Sequence, residues 1–423
     1  MSDQTVFDVA IVGAGPAGIA AALSASVKGT RVALIDDNDL PGGQIYRAIQ
    51  GEANPAVAGQ IEEIAKHGVV RFDNTAVYDA PAAGVLAVNG EHGTGHIQYE
   101  NLILATGARE LFLPFPGWTL PNVMGVGGLQ ALVKEGLDVQ GKRIVLAGSG
   151  PLLMAVGAYL LEHGARVVAI AEQAPVGKLA RFGSKLVRMP SKLAQGAQLM
   201  RKVGTRVKFG SWIESAEGGA RLERVTLRSG YKTRLIECDY LGCAFGFVPN
   251  LEMPLLLGCD VERGFVKVDD QQQTSIEGVY CAGEPTGIGG IDLSVVEGRI
   301  AGLASTGQEN LIHHLRTERT LWRQFAVHLD RAFALRQELR ELSASETVVC
   351  RCEDVRMGQL VGWESSRAAK LQTRCGMGAC QGRICGPATR FLFNWEHGSV
   401  RPPLSPVPLA GFEKIPEAER KTN

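Results

Sequence analysis

The stretch from Asp8 to Asp37 constrains the fold of this chain more than any other. An apolar run, DVAIV, leads into Gly13-Ala-Gly15-Pro16-Ala17-Gly18, a small-residue stretch of helical character follows, and a second apolar run, RVALI, ends in Asp36 and Asp37. Strand, tight turn, helix and strand within about thirty residues is the pattern of a dinucleotide-binding βαβ unit. In that pattern Gly13 allows the turn, Gly15 lets the backbone approach a pyrophosphate, and Gly18 lets the helix pack on the strand. The helix N-terminus then offers free N–H groups and the positive end of its dipole to phosphate. Asp36, 23 residues after Gly13, stands where a carboxylate can accept ribose hydroxyls.

The pattern recurs. Arg143-Ile-Val-Leu-Ala-Gly148-Ser-Gly150-Pro-Leu-Leu153 repeats strand, turn and helix, and Glu172 follows 24 residues after Gly148. Here Leu153 replaces the third glycine, which should push the helix off its strand unless something compensates. No arginine pair follows Glu172 to receive a 2′-phosphate, so NADP is disfavoured. Two readings stay open: a working NAD(H) site, or a domain kept for architecture or for another adenine nucleotide such as ATP or ADP. The uncharged run from Ile144 to Leu161 falls in this segment. It is long enough to span a bilayer, but its central GSGP favours a buried strand, turn and helix.

Two anomalies of composition need explanation. Glycine supplies 52 of 423 residues, and five of the nine cysteines fall between Cys350 and Cys385. The 44 basic and 44 acidic residues cancel, which argues against binding nucleic acid through bulk charge. Asp3 and Asp8, with no basic segment before the first apolar run, do not read as a secretory signal. An odd number of cysteines then points to a reducing, cytoplasmic compartment. No cysteine precedes Cys238. Cys238 and Cys243, in CDYLGC, read as core thiols, as do Cys259 and Cys281.

The clustered cysteines read VCRCED (Cys350, Cys352) and TRCGMGACQGRICGP (Cys375, Cys380, Cys385). Four thiolates separated by glycine-rich loops suit an iron–sulfur cluster or a tetrahedral zinc. Two quartets are open: Cys350, Cys352 and Cys380 with either Cys375 or Cys385. Between body and cysteines, residues 314–342 place Leu321, Phe325, Leu329 and Phe333 at i, i+4 spacing, continued by Leu339 and Leu342. This predicts an amphipathic helical connector whose arginines face solvent.

Further segments complete a resemblance. They are Pro41-Gly-Gly43-Gln44-Ile-Tyr-Arg47, Ala105-Thr106-Gly107, Gly283-Glu284, and GRIAG at Gly298–Gly302. Together they resemble the two-dinucleotide-binding flavoproteins, which include glutathione and thioredoxin reductases. That resemblance implies that the first fingerprint holds the ADP half of FAD, that the Ala105–Gly107 segment closes the FAD fold, and that the acid after Gly283 meets the flavin ribitol. Glu284 stands where aspartate is usual. The cysteine segment resembles the bacterioferritin-associated-ferredoxin type of [2Fe–2S] domain, and by that likeness the ligands are Cys350, Cys352, Cys380 and Cys385.

With PGGQIYR, GSGPLL, VCRCEDV and GMGACQG, the whole chain resembles the A (α) subunits of heteromeric amino-acid dehydrogenases. These include opine oxidase, D-hydroxyproline and L-proline dehydrogenases, and hydrogen cyanide synthase. The implied fold is α/β: two Rossmann-like domains of glutathione-reductase type and a small ferredoxin-like domain. The implied plan is an FAD domain at 1–112 and 242–310, an NAD(P)-like domain at 113–241, a linker at 311–345, a [2Fe–2S] domain at 346–400 and an extension at 401–423. The implied activity is electron transfer, with C–N oxidation in an FAD-containing B (β) subunit, FMN at the subunit interface in some members, and peripheral delivery to the respiratory chain. A self-contained NADH-dependent reductase, a glycine-oxidising cyanide synthase subunit and a non-catalytic redox-sensing subunit are the competing expectations.

Overall fold

The computed structural model describes residues 6–411 apart from 28, 92 and 397–399, so the extension beyond 411 lies outside the described residues. Contacts divide the chain into two compact units. One gathers Met1–Arg109, Pro249–Val327 and Ser399–Asn423, and the other Glu110–Val248 and His328–Gly398.

The first unit is built on a mixed sheet. Val70–Phe72, Val32–Ile35, Val6–Val12 and Gly93–Leu104 lie parallel in that order, with Val279–Cys281 parallel to Gly93–Leu104 on its far side. Val85–Gly90 and Ala76–Ala82 complete the sheet as an antiparallel flap. The strand Val32–Ile35 and the stretches Val9–Ile11 and Leu102–Leu104 are apolar and buried because both faces of the sheet are covered there, as parallel sheets require. Over one face the helix Pro16–Ala25 crosses the helix Gly290–Ala304 at almost no separation. A Cβ on Gly298 would lie 2.1 Å from the Ala17 carbonyl oxygen, and one on Gly302 2.4 Å from that of Ala21. GRIAG is therefore a helix-crossing motif, placing two backbones where side chains would not fit.

The second unit repeats the theme. Val207–Phe209, Arg166–Glu172, Arg143–Gly148, Tyr240–Ala244 and Val123–Gly125 form a five-stranded parallel sheet, with a separate antiparallel three-stranded sheet from Ser211 to Glu237. The uncharged run resolves into the strand Arg143–Gly148 and the helix Pro151–Glu162. Leu153 is fully buried, and the close approach moves one turn along to Gly157, whose Cβ would meet Ile170 Cδ1 at 2.7 Å. Cys238 and Cys243 are core thiols, wholly buried. Among the described residues, no helix is long and apolar enough to cross a membrane.

The connector departs from its expected pattern. The helix His313–Phe333 leaves Leu321 56% exposed, whereas Arg319 is only 4% exposed. Its inner face carries Leu315, Arg319 and Arg323 instead of the Leu321 row. The arginines turn inward because acceptors await them: Arg319 Nη1 donates to Gln272 Oε1 at 2.7 Å, and Arg323 Nη2 to Glu297 Oε1 at 2.9 Å. Periodicity alone reads arginine as solvated, but a guanidinium with matched acceptors can be buried.

Candidate functional site

In the first unit, the segments singled out from sequence converge on the N-terminus of the helix Pro16–Ala25. Gly13, at φ +105°, comes so close to the next strand that a Cβ would lie 2.2 Å from the Ala105 oxygen. Gly18 lies under the turn, where a Cβ would meet the Gly13 oxygen at 1.7 Å. Gly43, at φ +57°, faces Gly15 across a gap that a Cβ would close to 2.9 Å. Ala17 backs onto Gly283, and Pro16 opens the helix without needing an N–H partner. Two glycine backbones facing each other at a helix N-terminus leave the kind of cradle a pyrophosphate enters.

The acids sit beside this cradle in different surroundings. Asp36 accepts the Ala14 N–H and, at 2.9 Å, the Asn38 N–H, so it braces the turn itself. Burial, and then the charge of Asp36, raise the carboxyl of Asp37. Gln44 and Arg47 hold each other at 3.2 Å. Thr106 and Gly107 are fastened by Asn250, whose amide donates to the Thr106 oxygen at 2.7 Å and whose backbone N–H donates to the Gly107 oxygen at 3.0 Å.

Glu284 is the most telling group of this cluster. One carboxylate oxygen accepts the Gly290 N–H at 2.9 Å, while Oε2 is buried with no hydrogen-bond partner. Burial lifts this carboxyl to about 7, with the Gly290 N–H opposing and Glu297 adding to the rise. An orphaned acceptor at that position fits the hydroxyl of an extended polyol such as ribityl.

Sequence reasoning missed the support beneath it. Glu297 is fully buried and accepts four hydrogen bonds: from the Gly283 N–H (3.0 Å), the Thr286 hydroxyl (2.5 Å), and Arg323 Nε and Nη2 (3.1 and 2.9 Å). The signal was available, since Glu297 is the lone acid in SVVEGRIAGLA, a run whose small apolar residues mark it as buried.

In the second unit, Cys375 groups with Cys350 and Cys385. Cys350 ends the strand Val348–Cys350, Cys375 follows the helix Ser366–Thr373, and Cys385 opens the helix Cys385–Phe393. Their three sulfurs lie within 4.8 Å of one another, and all three residues are buried. Cys352 and Cys380 form a second, more open pair joined by a thiol hydrogen bond. Gly378 makes that approach possible, because a Cβ there would lie 2.3 Å from Cys352 Cβ. The Gly376 N–H donates to Cys350 Sγ at 3.5 Å. Burial opposes ionisation of Cys380, yet the Cys352 thiol and the N–H groups of Ile384, Gly382 and Arg383 bring its pKa down. Five soft donors with backbone N–H groups aimed at sulfur fit a thiolate-bound metal centre. A small core of Val349, Val355, Leu360 and Trp395 surrounds them.

At the second fingerprint the acid again braces its own turn. Glu172 is 2% exposed and both its oxygens are taken, by the Gly150 N–H (2.8 Å) and the Ala174 N–H (2.8 Å). Burial outweighs those two donors and lifts its carboxyl to about 7.

Known proteins place this architecture. The sequence profile of the pyridine nucleotide-disulphide oxidoreductases matches residues 7–304. The chain belongs to that family. Within it, similarity to two kinds of heteromer component runs nearly end to end. Hydrogen cyanide synthase subunit HcnB of Pseudomonas aeruginosa is 30% identical over 96% of this chain and 98% of its own length. The opine oxidase A chain of Agrobacterium tumefaciens is 30% identical over 98% and 93%, and that of Rhizobium meliloti 31% identical over 98% and 88%. Among solved structures, L-proline dehydrogenase from P. horikoshii shares the fold at a TM-score of 0.71 and 20% identity, over 97% of this chain and 80% of that one. As a member of the pyridine nucleotide-disulphide oxidoreductases the chain is an oxidoreductase, though it lacks their redox-active cysteine pair.

Proposed function

We propose that the chain is the electron-transfer component of a heteromeric, FAD-dependent amino-acid dehydrogenase or oxidase acting on a CH–NH donor of the opine, hydroxyproline or proline kind. Oxidation of the C–N bond takes place in a B (β) subunit with its own FAD. The observation that carries this reading is that similarity to the opine oxidase A chain covers 98% of the sequence, far past residue 304 and through the cysteine segment.

On this reading, Gly13, Gly15, Pro16, Ala17 and Gly18 receive the pyrophosphate of FAD, and Asp36 and Asp37 stand at its ribose. Gly43, Gln44 and Arg47 border it, Ala105, Thr106 and Gly107 wall it, and Gly283 and Glu284 meet its ribityl chain. Cys350, Cys352, Cys380 and Cys385 are the proposed cluster ligands, with Cys375, hydrogen-bonded to Cys385, competing for a place. When bound, a flavin takes electrons in pairs and a [2Fe–2S] cluster passes them singly. The chain's own part is to fix both groups in rigid cores and to exclude water from them. FMN at the interface with the B subunit and a cytoplasmic location peripheral to the inner membrane belong to the same reading.

Co-purification with a B subunit tests it. The expected sample shows flavin and iron–sulfur absorption, contains iron and not zinc, and reduces a dye only when an amino acid or opine is supplied. A zinc-loaded chain, or one whose flavin is bleached by NADH alone, would overturn the proposal. A Cys→Ser series assigns the ligands: iron retained in Cys375→Ser and lost in Cys385→Ser supports the proposed set, and the reverse replaces it.

A further inference from the structure

The second dinucleotide fingerprint has its own occupant. In a Rossmann-type fold the dinucleotide crosses the carboxyl ends of the first two strands, between the glycine turn and the acid that follows. Here these are the ends of Arg143–Gly148 and Arg166–Glu172, marked by Ser149 in the turn and Gln173 beside Glu172. Both are bonded to one short piece of main chain. Ser149 Oγ donates to the Phe333 carbonyl at 2.7 Å. Gln173 Nε2 donates to Ser149 Oγ at 2.8 Å and to the Phe333 and Ala334 carbonyls, each at 3.3 Å. The Arg336 N–H returns a bond to Gln173 Oε1 at 3.1 Å.

Side chains seal the contact. The Phe333 ring meets Phe182 edge-on at 5.9 Å, and the Arg336 guanidinium lies 3.8 Å from the centre of the Trp212 ring. Gln173 is only 1% exposed, and Leu339, just beyond, is wholly buried in the core around Trp212 and Phe245. Glu172 braces its turn as Asp36 does in the first unit, accepting the Gly150 and Ala174 N–H groups.

We propose that the second fingerprint is a seat for the chain's own segment 333–336 and not a nicotinamide site. That segment is bonded to the turn residue Ser149 and to Gln173 beside the acid, so it lies across the path a dinucleotide would follow and excludes NAD(H). The turn and its flanking glutamine anchor the chain that leads into the cysteine module. This deepens the reading of the chain as one fed electrons by a partner, but its readout is nucleotide binding and is independent of any amino-acid substrate.

The test uses the full chain and NADH as the probe. Fluorescence titration of the wild type is expected to show no saturable NADH binding. In Ser149→Ala/Gln173→Ala, hydrogen exchange of the amides in 334–340 should accelerate roughly tenfold or more, as expected when the four hydrogen bonds from these side chains to the segment are lost. Stoichiometric NADH binding by the wild type would overturn the proposal. So would unchanged exchange in the double variant, whose folding is checked by retention of its sheet circular dichroism. Failure of the partner-fed reading through zinc in the cysteine module, or through dye reduction that does not depend on an amino acid or opine, would leave both measurements unaffected.

Discussion

At the residue scale, the buried acids carry the sharpest consequences. Glu297 is fully buried while its partner Arg323 is 37% exposed, so Glu297→Ala leaves the guanidinium to water but strands the buried Gly283 N–H. Leaving a buried donor unsatisfied costs about 1–3 kcal/mol. Urea unfolding should register a loss of that size, accompanied by weaker flavin retention, and a change under about 1 kcal/mol would show the pair to be dispensable. Glu172 and Glu284 act on pH dependence. Both are held near 7 in the folded chain against 4.5 as the ordinary value. The folded state therefore binds these protons more tightly than the unfolded one, and stability falls as pH rises from about 4.5 to 7. The urea midpoint of the ligand-free chain should be lower at pH 8 than at pH 5, and Glu172→Gln should flatten the slope. An identical slope in the variant would refute that assignment.

At the element scale, two contacts organise the units. The helices Pro16–Ala25 and Gly290–Ala304 cross at Gly298 and Gly302, where any Cβ collides with backbone carbonyls. Gly298→Ala should cost about 1–3 kcal/mol by overpacking and loosen the fingerprint turn, which would read out as flavin lost on gel filtration. The end of the connector is held in the second unit by Leu339, and the strand that follows it by Trp118, whose indole N–H donates to the Val348 oxygen at 2.5 Å. Leu339→Ala should cost about 2–5 kcal/mol and expose the chain before Cys350 to limited proteolysis. A protease pattern like that of the wild type would count against the anchor. Glycine spacing and flanking apolar runs made both fingerprints legible in the sequence. The inward arginines were not legible, because their burial depends on Gln272, Asp270 and Glu297, which lie 26 residues or more away along the chain.

At the scale of the whole molecule, each compact unit has its own cores, and the cysteine module has a small one. Metal binding to a module of that size is coupled to its folding. On the proposed function, chelation of the cluster should therefore melt residues 346–396 in hydrogen exchange while flavin absorption persists. Loss of flavin at the same chelator concentration would mean that the two sites are energetically linked.

The sequence by itself determined the two βαβ units, the cysteine cluster and the residues round the first turn. Each of these is local: a glycine needed by a turn, or a thiol with few other uses at that density. Tertiary structure decided what the same letters do once packed. It set Glu297 and Asn250 beneath the closing loops and drew Cys375 in among the other thiols. It also laid residues 333–336 across the second fingerprint, turning a nucleotide pattern into an anchor for the chain. Hydrogen bonds between residues 160 or more positions apart carry no periodic signature, so only the folded chain reveals them.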